Sequence, residues 1–416
     1  MRWALWADEE VRRGRLSEAN PHHKTRPVNE DSLRIELTTL HLASALILCL
    51  LLAGCKKHIS PVPPPPDTAP VFTPDLPESN FTYSSLGYPE SWENDPALQL
   101  FSSSGGTTIT DAGATLGRVL FYDPQLSADG TVSCSTCHLQ AHAFADPSPH
   151  SVGISGVPTP RNAMPLFNVR YQRRMFWDGR IIGLENQVLE PIAHPDEMGM
   201  DLNHLPARLH SLPHYPALFT DAFGDTAITS DRIRSALAQF IRSIRSFSSR
   251  YDEGLANGFA NFTEEEQLGR SLFFNGTTRC NQCHSGLTFF SSQLFINGLE
   301  TNYAAAGDAG RGALTGAPED DGRFRTVTLR NIGLTAPYMH DGRFATLREV
   351  VDFYSDNIQP HPFLDERLTE AGFGPAGQPP YQLHLTEQEK EGLVAFLHTL
   401  TDTTLADQWW LSDPFD

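Results

Sequence analysis

Cys134-Ser135-Thr136-Cys137-His138 and Cys280-Asn281-Gln282-Cys283-His284 are two copies of the pattern Cys-x-x-Cys-His. Such a pattern attaches a c-type haem: two thiols form thioethers with the vinyl groups, and the imidazole that follows takes the iron from one side. With 6 Cys and 16 His in 416 residues, shuffling would produce only about 0.003 such patterns. Two copies therefore point to two covalently bound haem c groups, attached at Cys134, Cys137, Cys280 and Cys283, with His138 and His284 as proximal iron ligands. A structural zinc held by the four thiolates is the competing chemistry. The wide separation of the pairs, the His after each and the signs of export below argue against it.

Outside the motifs only Cys49 and Cys55 remain, which leaves no pair for a structural disulfide in a mature chain. Leu42 to Ala53 is an unbroken run of apolar and small residues, too short to span a bilayer and suited to a signal-peptide core. It ends in Leu52-Ala53-Gly54-Cys55, which resembles a bacterial lipoprotein signal. Residues 1–54 are then a signal region cleaved before Cys55, whose lipid anchors the protein to the membrane on the periplasmic side. Residues 55–84, with Pro63-Pro64-Pro65-Pro66, read as a stiff, extended Pro-rich tether. The net charge of -19 argues against nucleic acid as a partner. An acidic surface either steers a basic electron-transfer protein or simply keeps an exported protein in solution.

The remaining chain repeats. Leu116-Gly117-Arg118-Val119-Leu120-Phe121-Tyr122 precedes the first haem motif, and Leu268-Gly269-Arg270-Ser271-Leu272-Phe273-Phe274 precedes the second. Phe176-Trp177-Asp178-Gly179-Arg180 is answered by Tyr338-Met339-His340-Asp341-Gly342-Arg343, so a one-haem module occurs twice. Thr263-Glu264-Glu265-Glu266 and Thr386-Glu387-Gln388-Glu389 are capping boxes that open helices, and Ile233, Leu237, Phe240, Ile241 and Ile244 form one apolar face behind Ser230-Asp231. Strand patterns are few, while Gly298 to Gly322 and Pro360 to Pro380 read as loops. The expected fold is mainly α: two cytochrome c-like domains, residues 85–255 and 256–405, each with one covalently attached haem.

The order of these motifs over roughly residues 85 to 400 resembles the bacterial diheme cytochrome c peroxidases and their MauG-type relatives. Both haem motifs carry the resemblance, with Pro160-Arg161-Asn162, Phe176 to Arg180, Gln187, Glu197-Met198-Gly199, Leu329-Arg330-Asn331 and Pro337 to Gly342. It implies that His138 serves a peroxide-reactive haem and His284 a second redox centre. Gln187 and Glu197 fall where the family places two polar residues over the distal face of the reactive haem. A carboxylate there moves a proton between the peroxide oxygens and an amide orients the peroxide; taken alone, both residues read as surface side chains. Trp177, otherwise a core indole, aligns with the tryptophan that conducts charge between the haems. Asn162 and the carbonyls of Thr335 and Pro337 match an interhaem calcium site, a donor set of hard oxygens.

One position separates the two branches of the family. Where the peroxidases carry a methionine that ligates the second haem, this chain has Tyr354, as MauG-type enzymes do. A phenolate stabilises oxidised iron better than a thioether, so a His284/Tyr354 pair implies a low potential. Met339 is the rival ligand, and a core tyrosine on the Val350-Val351-Tyr354 face is the bland alternative. His142 and His150 are available to close the first haem at rest, although neither stands at the family's distance from the first motif. The expected function is a hydrogen-peroxide-dependent oxidoreductase of MauG type that oxidises a protein partner or a small cytochrome donor. Classical peroxide detoxification and a non-catalytic diheme electron-transfer cytochrome are the alternatives.

Overall fold

Threonine caps start the helices that build the core. Thr110, Thr229, Thr263, Thr346 and Thr386 each accept a hydrogen bond from a backbone N–H of the turn that follows, satisfying a donor that a helix start leaves unpaired. They open α1 (Asp111–Tyr122), α2 (Ser230–Ser243), α3 (Glu264–Phe274), α4 (Leu347–Asp356) and α5 (Glu387–His398). At Thr263, Thr346 and Thr386 the glutamate three residues on returns the bond, completing a capping box. The computed structural model describes residues 72–95, 98, 108–372 and 376–415. The expected signal region, Cys55 and most of the tether lie outside them.

The described chain is mainly helical, as expected. Its strands are two antiparallel two-residue pairs: β1 (Arg174–Met175) with β2 (Ile181–Ile182), and β3 (Leu294–Phe295) with β4 (Phe324–Arg325). The stretch from Gly298 to Gly322, expected as loop, carries two single-turn helices, Tyr303–Ala306 and Gly312–Thr315.

The repeat seen in the sequence is a repeat in space. Helix α1 crosses α2, and α3 crosses α5, each at a glycine. A Cβ on Gly117 would lie 2.0 Å from the carbonyl oxygen of Ala236, and one on Gly269 would lie 1.7 Å from that of Gly392. Only hydrogen fits, which is the physical reason that Leu-Gly-Arg occurs in both helices. Around the first crossing Leu116, Leu120, Phe121 and Phe240 are buried; around the second, Phe273, Leu393, Phe396 and Leu400.

Backbone details repeat as well. Asn168 and Asn331 both adopt left-handed geometry, with φ of 54° and 55°, which Asn tolerates better than most residues. The N–H of Asn168 donates to the carbonyl of Ile244 and that of Asn331 to Leu400, each at 2.9 Å. Ser246 ties the halves together: its N–H donates to Asn168 Oδ1, and its hydroxyl accepts from Asn331 Nδ2 and donates to Asp402.

After α5 the chain returns to the first half. Leu405 and Leu411 are fully buried in the core built around α1 and α2. Tyr122 donates to the carbonyl of Leu411 at 2.6 Å, Arg118 to that of Ser412 at 2.7 Å, and Gln140 to those of Leu405 and Gln408 at 3.0 Å. Trp410 stacks on Phe81 with centroids 4.7 Å apart.

A methyl group at either crossing forces the helices apart. Gly117→Ala and Gly269→Ala are each expected to lower stability by about 1–3 kcal/mol or more, measured by chemical denaturation. Gly276→Ala is the control, at a glycine whose added Cβ meets nothing within 4 Å and whose backbone is not in the left-handed region.

Candidate active site

Each haem-motif histidine is oriented by its own loop. His138 Nδ1 bonds the carbonyl of Phe144 at 2.9 Å, and His284 Nδ1 bonds that of Phe289 at 3.1 Å. A carbonyl can only accept, so Nδ1 carries the proton and Nε2 is left with a free lone pair, the state a metal-binding imidazole needs. Both phenylalanines sit at positive φ, 58° and 51°, and this turn brings their carbonyls back over the ring. Burial holds both histidines below the ordinary imidazole range, His284 at about 4, so both are neutral. None of the four motif cysteines is in a disulfide, so all four sulfurs are available for thioether bonds, and burial raises the pKa of each thiol.

Around the first motif, Glu197 lies close enough to Cys134 and Cys137 for its charge to act on both. Burial raises its pKa above the ordinary carboxylate value, against the pull of His194 and Arg180. Its segment is pinned from behind: the N–H of Ile154 donates to the Glu197 carbonyl at 2.9 Å, and a Cβ on Gly153 would lie 2.3 Å from that oxygen. Gln187 is the last residue of the short helix Leu184–Gln187 and is half-buried. Trp177 donates from Nε1 to the carbonyl of Asn162 at 2.9 Å and meets His340 edge to face at 6.5 Å.

The second motif opens onto a cavity of about 240 Å³. Cys280, Cys283, His284, Met339 and, on α4, Tyr354 all line it. Trp177, Asn162, Thr335 and Pro337 line the same space, so the residues expected between the two haems do converge. Asn162 Nδ2 donates to the carbonyl of Ser148, and its N–H to that of His340. His340, the repeat counterpart of Trp177, is buried and stacks on Phe324 with centroids 3.9 Å apart.

The cavity suits a haem in charge as well as in its mainly apolar lining. Arg325, on β4, lines it and is buried, yet its bonds go to neutral oxygens: Nη2 donates to Gln172 Oε1 at 2.5 Å and Nη1 to the carbonyl of Phe176 at 3.3 Å. Asp178, the acid whose charge reaches it, is already bonded to Arg161 and Arg180. Burial lowers the Arg325 pKa to about 10. A desolvated guanidinium beside an apolar cavity suits the carboxylate edge of a haem.

Over residues 111–258 the sequence matches the family of di-haem cytochrome c peroxidases. It is 34% identical to the methylamine utilization protein MauG of Methylorubrum extorquens over 295 residues, 70% of this chain and 79% of that one. With the cytochrome c551 peroxidase of Nitrosomonas europaea it shares 36% over 240 residues, 58% and 71% of the two chains. The chain belongs to the di-haem cytochrome c peroxidase family. Among solved structures it is similar to a MauG-like protein associated with microbial copper homeostasis, with a TM-score of 0.65 and 36% identity over 74% of this chain and 94% of that one. It is also similar to the diheme peroxidase BthA from Burkholderia thailandensis, with a TM-score of 0.59 and 25% identity over 81% and 92%. As a family member it is a peroxide-dependent diheme peroxidase, an oxidoreductase whose cofactors are two c-type haems.

Sequence reasoning missed Arg325, Asn297, Tyr303 and the clamp behind His284. In that clamp Arg330, fully buried, donates from both Nη atoms to Asp252 at 2.8 Å, from Nε to the carbonyl of Leu287 at 2.6 Å, and stacks over Trp92. Leu287 lies two residues before Phe289, so the ion pair braces the loop whose Phe289 carbonyl orients His284. Burial alone would raise the Asp252 pKa, but Arg330 and Ser249 hold it below the ordinary value. The stabilisation is therefore full above the unfolded carboxylate pKa and is lost as pH falls through the depressed one. Arg330→Met strands Asp252 and is expected to cost about 3–5 kcal/mol in urea denaturation at neutral pH, with a smaller loss in acid.

Proposed function

We propose that this peroxidase works in the manner of MauG, with a protein as the source of its electrons, and that its two haems have different tasks. In this reading residues 85–255 and 256–405 are the two haem domains, and each haem is joined covalently through Cys134 and Cys137 or Cys280 and Cys283. His138 would hold the peroxide-reactive iron, and His284 together with Tyr354 would hold the second. The observation that carries the assignment is that Tyr354 lines the same cavity as His284 of the second motif, while Glu197, a carboxyl with a raised pKa, stands by the first.

When bound, the haems supply redox-active iron to which peroxide can coordinate. The chain's own residues do the rest. Glu197 takes a proton from the near peroxide oxygen and returns it to the far one, and Gln187 orients the peroxide from beside it. Trp177, bonded to Asn162 and in ring contact with His340, is the path for charge between the two centres. Asn162 and the carbonyls of Thr335 and Pro337 offer oxygen donors to a calcium ion in the wall they share. Export to the periplasm and a lipid on Cys55 complete the proposal, and the acidic net charge of -19 favours a basic protein partner.

The ferric protein is expected to show one high-spin haem that responds to peroxide; two low-spin haems and no response would refute the assignment of roles. Glu197→Gln should slow peroxide consumption by about 10²- to 10⁴-fold. The ionised form of Glu197 is the one that accepts the first proton, so the wild-type rate falls as pH drops through its raised pKa, and the variant loses that inflection. Tyr354→Met distinguishes the two kinds of donor: a gain in turnover with a small cytochrome supports the MauG-type reading, and an unchanged second haem spectrum overturns it.

A further inference from the structure

Two residues able to ligate the second haem, Tyr354 and Met339, face one cavity, and a single amide reaches both. Asn297, just after β3, lines that cavity too; it donates from Nδ2 to Met339 Sδ at 3.8 Å, and it acts on the Tyr354 phenol to lower a pKa that burial raises. The other end of the amide is committed. Asn297 Oδ1 accepts the hydroxyl of Tyr303 at 2.8 Å and the N–H of Leu299 at 3.4 Å. Tyr303 cannot turn away: its oxygen also accepts the Leu299 N–H at 2.9 Å, its ring is buried, and a Cβ on Gly322 would stand 2.1 Å from it. With Oδ1 occupied, the NH₂ group is the end that points at the two rivals.

We infer that Asn297, held by Tyr303, is the positioning residue that selects Tyr354 over Met339 as the sixth ligand of the second haem. The inference rests on the reading of Tyr354 given above and deepens it. The two rivals differ as acceptors for that N–H. A thioether is weak, whereas a phenolate oxygen takes a charge-assisted bond. Ligation by Tyr354 would ionise the phenol and gain the strong bond, leaving Met339 tethered by the weak one. Ligation by Met339 would forgo the strong bond. Asn297 therefore acts on the choice of ligand without touching the iron.

The test is the ligand signature of the second haem, read by ferric electron paramagnetic resonance and near-infrared absorption in the full-length holoprotein, with the first haem's spectrum as an internal check on folding. Asn297→Leu is expected to shift the ratio of tyrosine- to methionine-ligated forms by about tenfold or more toward methionine, the worth of one hydrogen bond to a charged oxygen. The reduction potential of the second haem should rise with it. Tyr303→Phe keeps the packing and removes only the hydroxyl, and should shift the ratio in the same direction by less. Met339→Leu added to Asn297→Leu should abolish the methionine signature. A second haem that stays wholly tyrosine-ligated at the wild-type potential in both single variants overturns the inference. A wild type without a tyrosine signature instead removes the reading on which it rests, so the two failures are told apart.

Discussion

Everything at the two motifs depends on a hydrogen bond that neither motif contains. A histidine that follows two haem-binding cysteines is useful to iron only with its proton on the far nitrogen, and here that proton is fixed by the carbonyls of Phe144 and Phe289. Both carbonyls come into position because their residues accept left-handed backbone geometry, a cost that the surrounding core covers. Phe144 and Phe289 are fully buried, so each turn is anchored by the same side chain whose carbonyl orients the histidine. Core and cofactor site are thus joined in one residue.

The two halves share that device and the glycine crossing of their helices, and then diverge where chemistry requires it. The first half places a partly desolvated carboxyl beside its motif. The second places a phenol, a thioether and an amide in a largely apolar space, and closes its back wall with a buried ion pair. Trp177 and His340 occupy matching positions in the repeat and touch each other, so the place where the halves differ in residue type is also the place where they meet. Duplication supplied the frame, and side-chain asymmetry along the seam gave each centre its own environment.

Much of the frame was legible in the sequence because its determinants are local. Thr263 with Glu266 and Thr386 with Glu389 announce helix starts within four residues, and Leu-Gly-Arg before each motif marks the crossing. The site was legible in part. Tyr354, Glu197 and Gln187 carry no local mark of function and were reached through family resemblance, with Met339, beside the His-Asp-Gly segment, as the rival of Tyr354. Asn297, Tyr303 and Arg325 escaped notice for a physical reason. They lie in and around a Gly-rich stretch without periodicity, and what matters about them is the contacts they make with distant residues such as Met339, Gln172 and Phe176. The return of the chain's end to the first core was equally hidden, because Leu405 and Leu411 are ordinary apolar residues until their neighbours are known.

The segment after α5 has a consequence for stability. Leu405 and Leu411 sit in the core around α1 and α2, and Gln140, two residues after the first motif, bonds the carbonyls of Leu405 and Gln408. Partners 265 residues apart in sequence therefore close one core, so a cut after α5 would strip cover from the first motif's flank although no residue of that motif is touched.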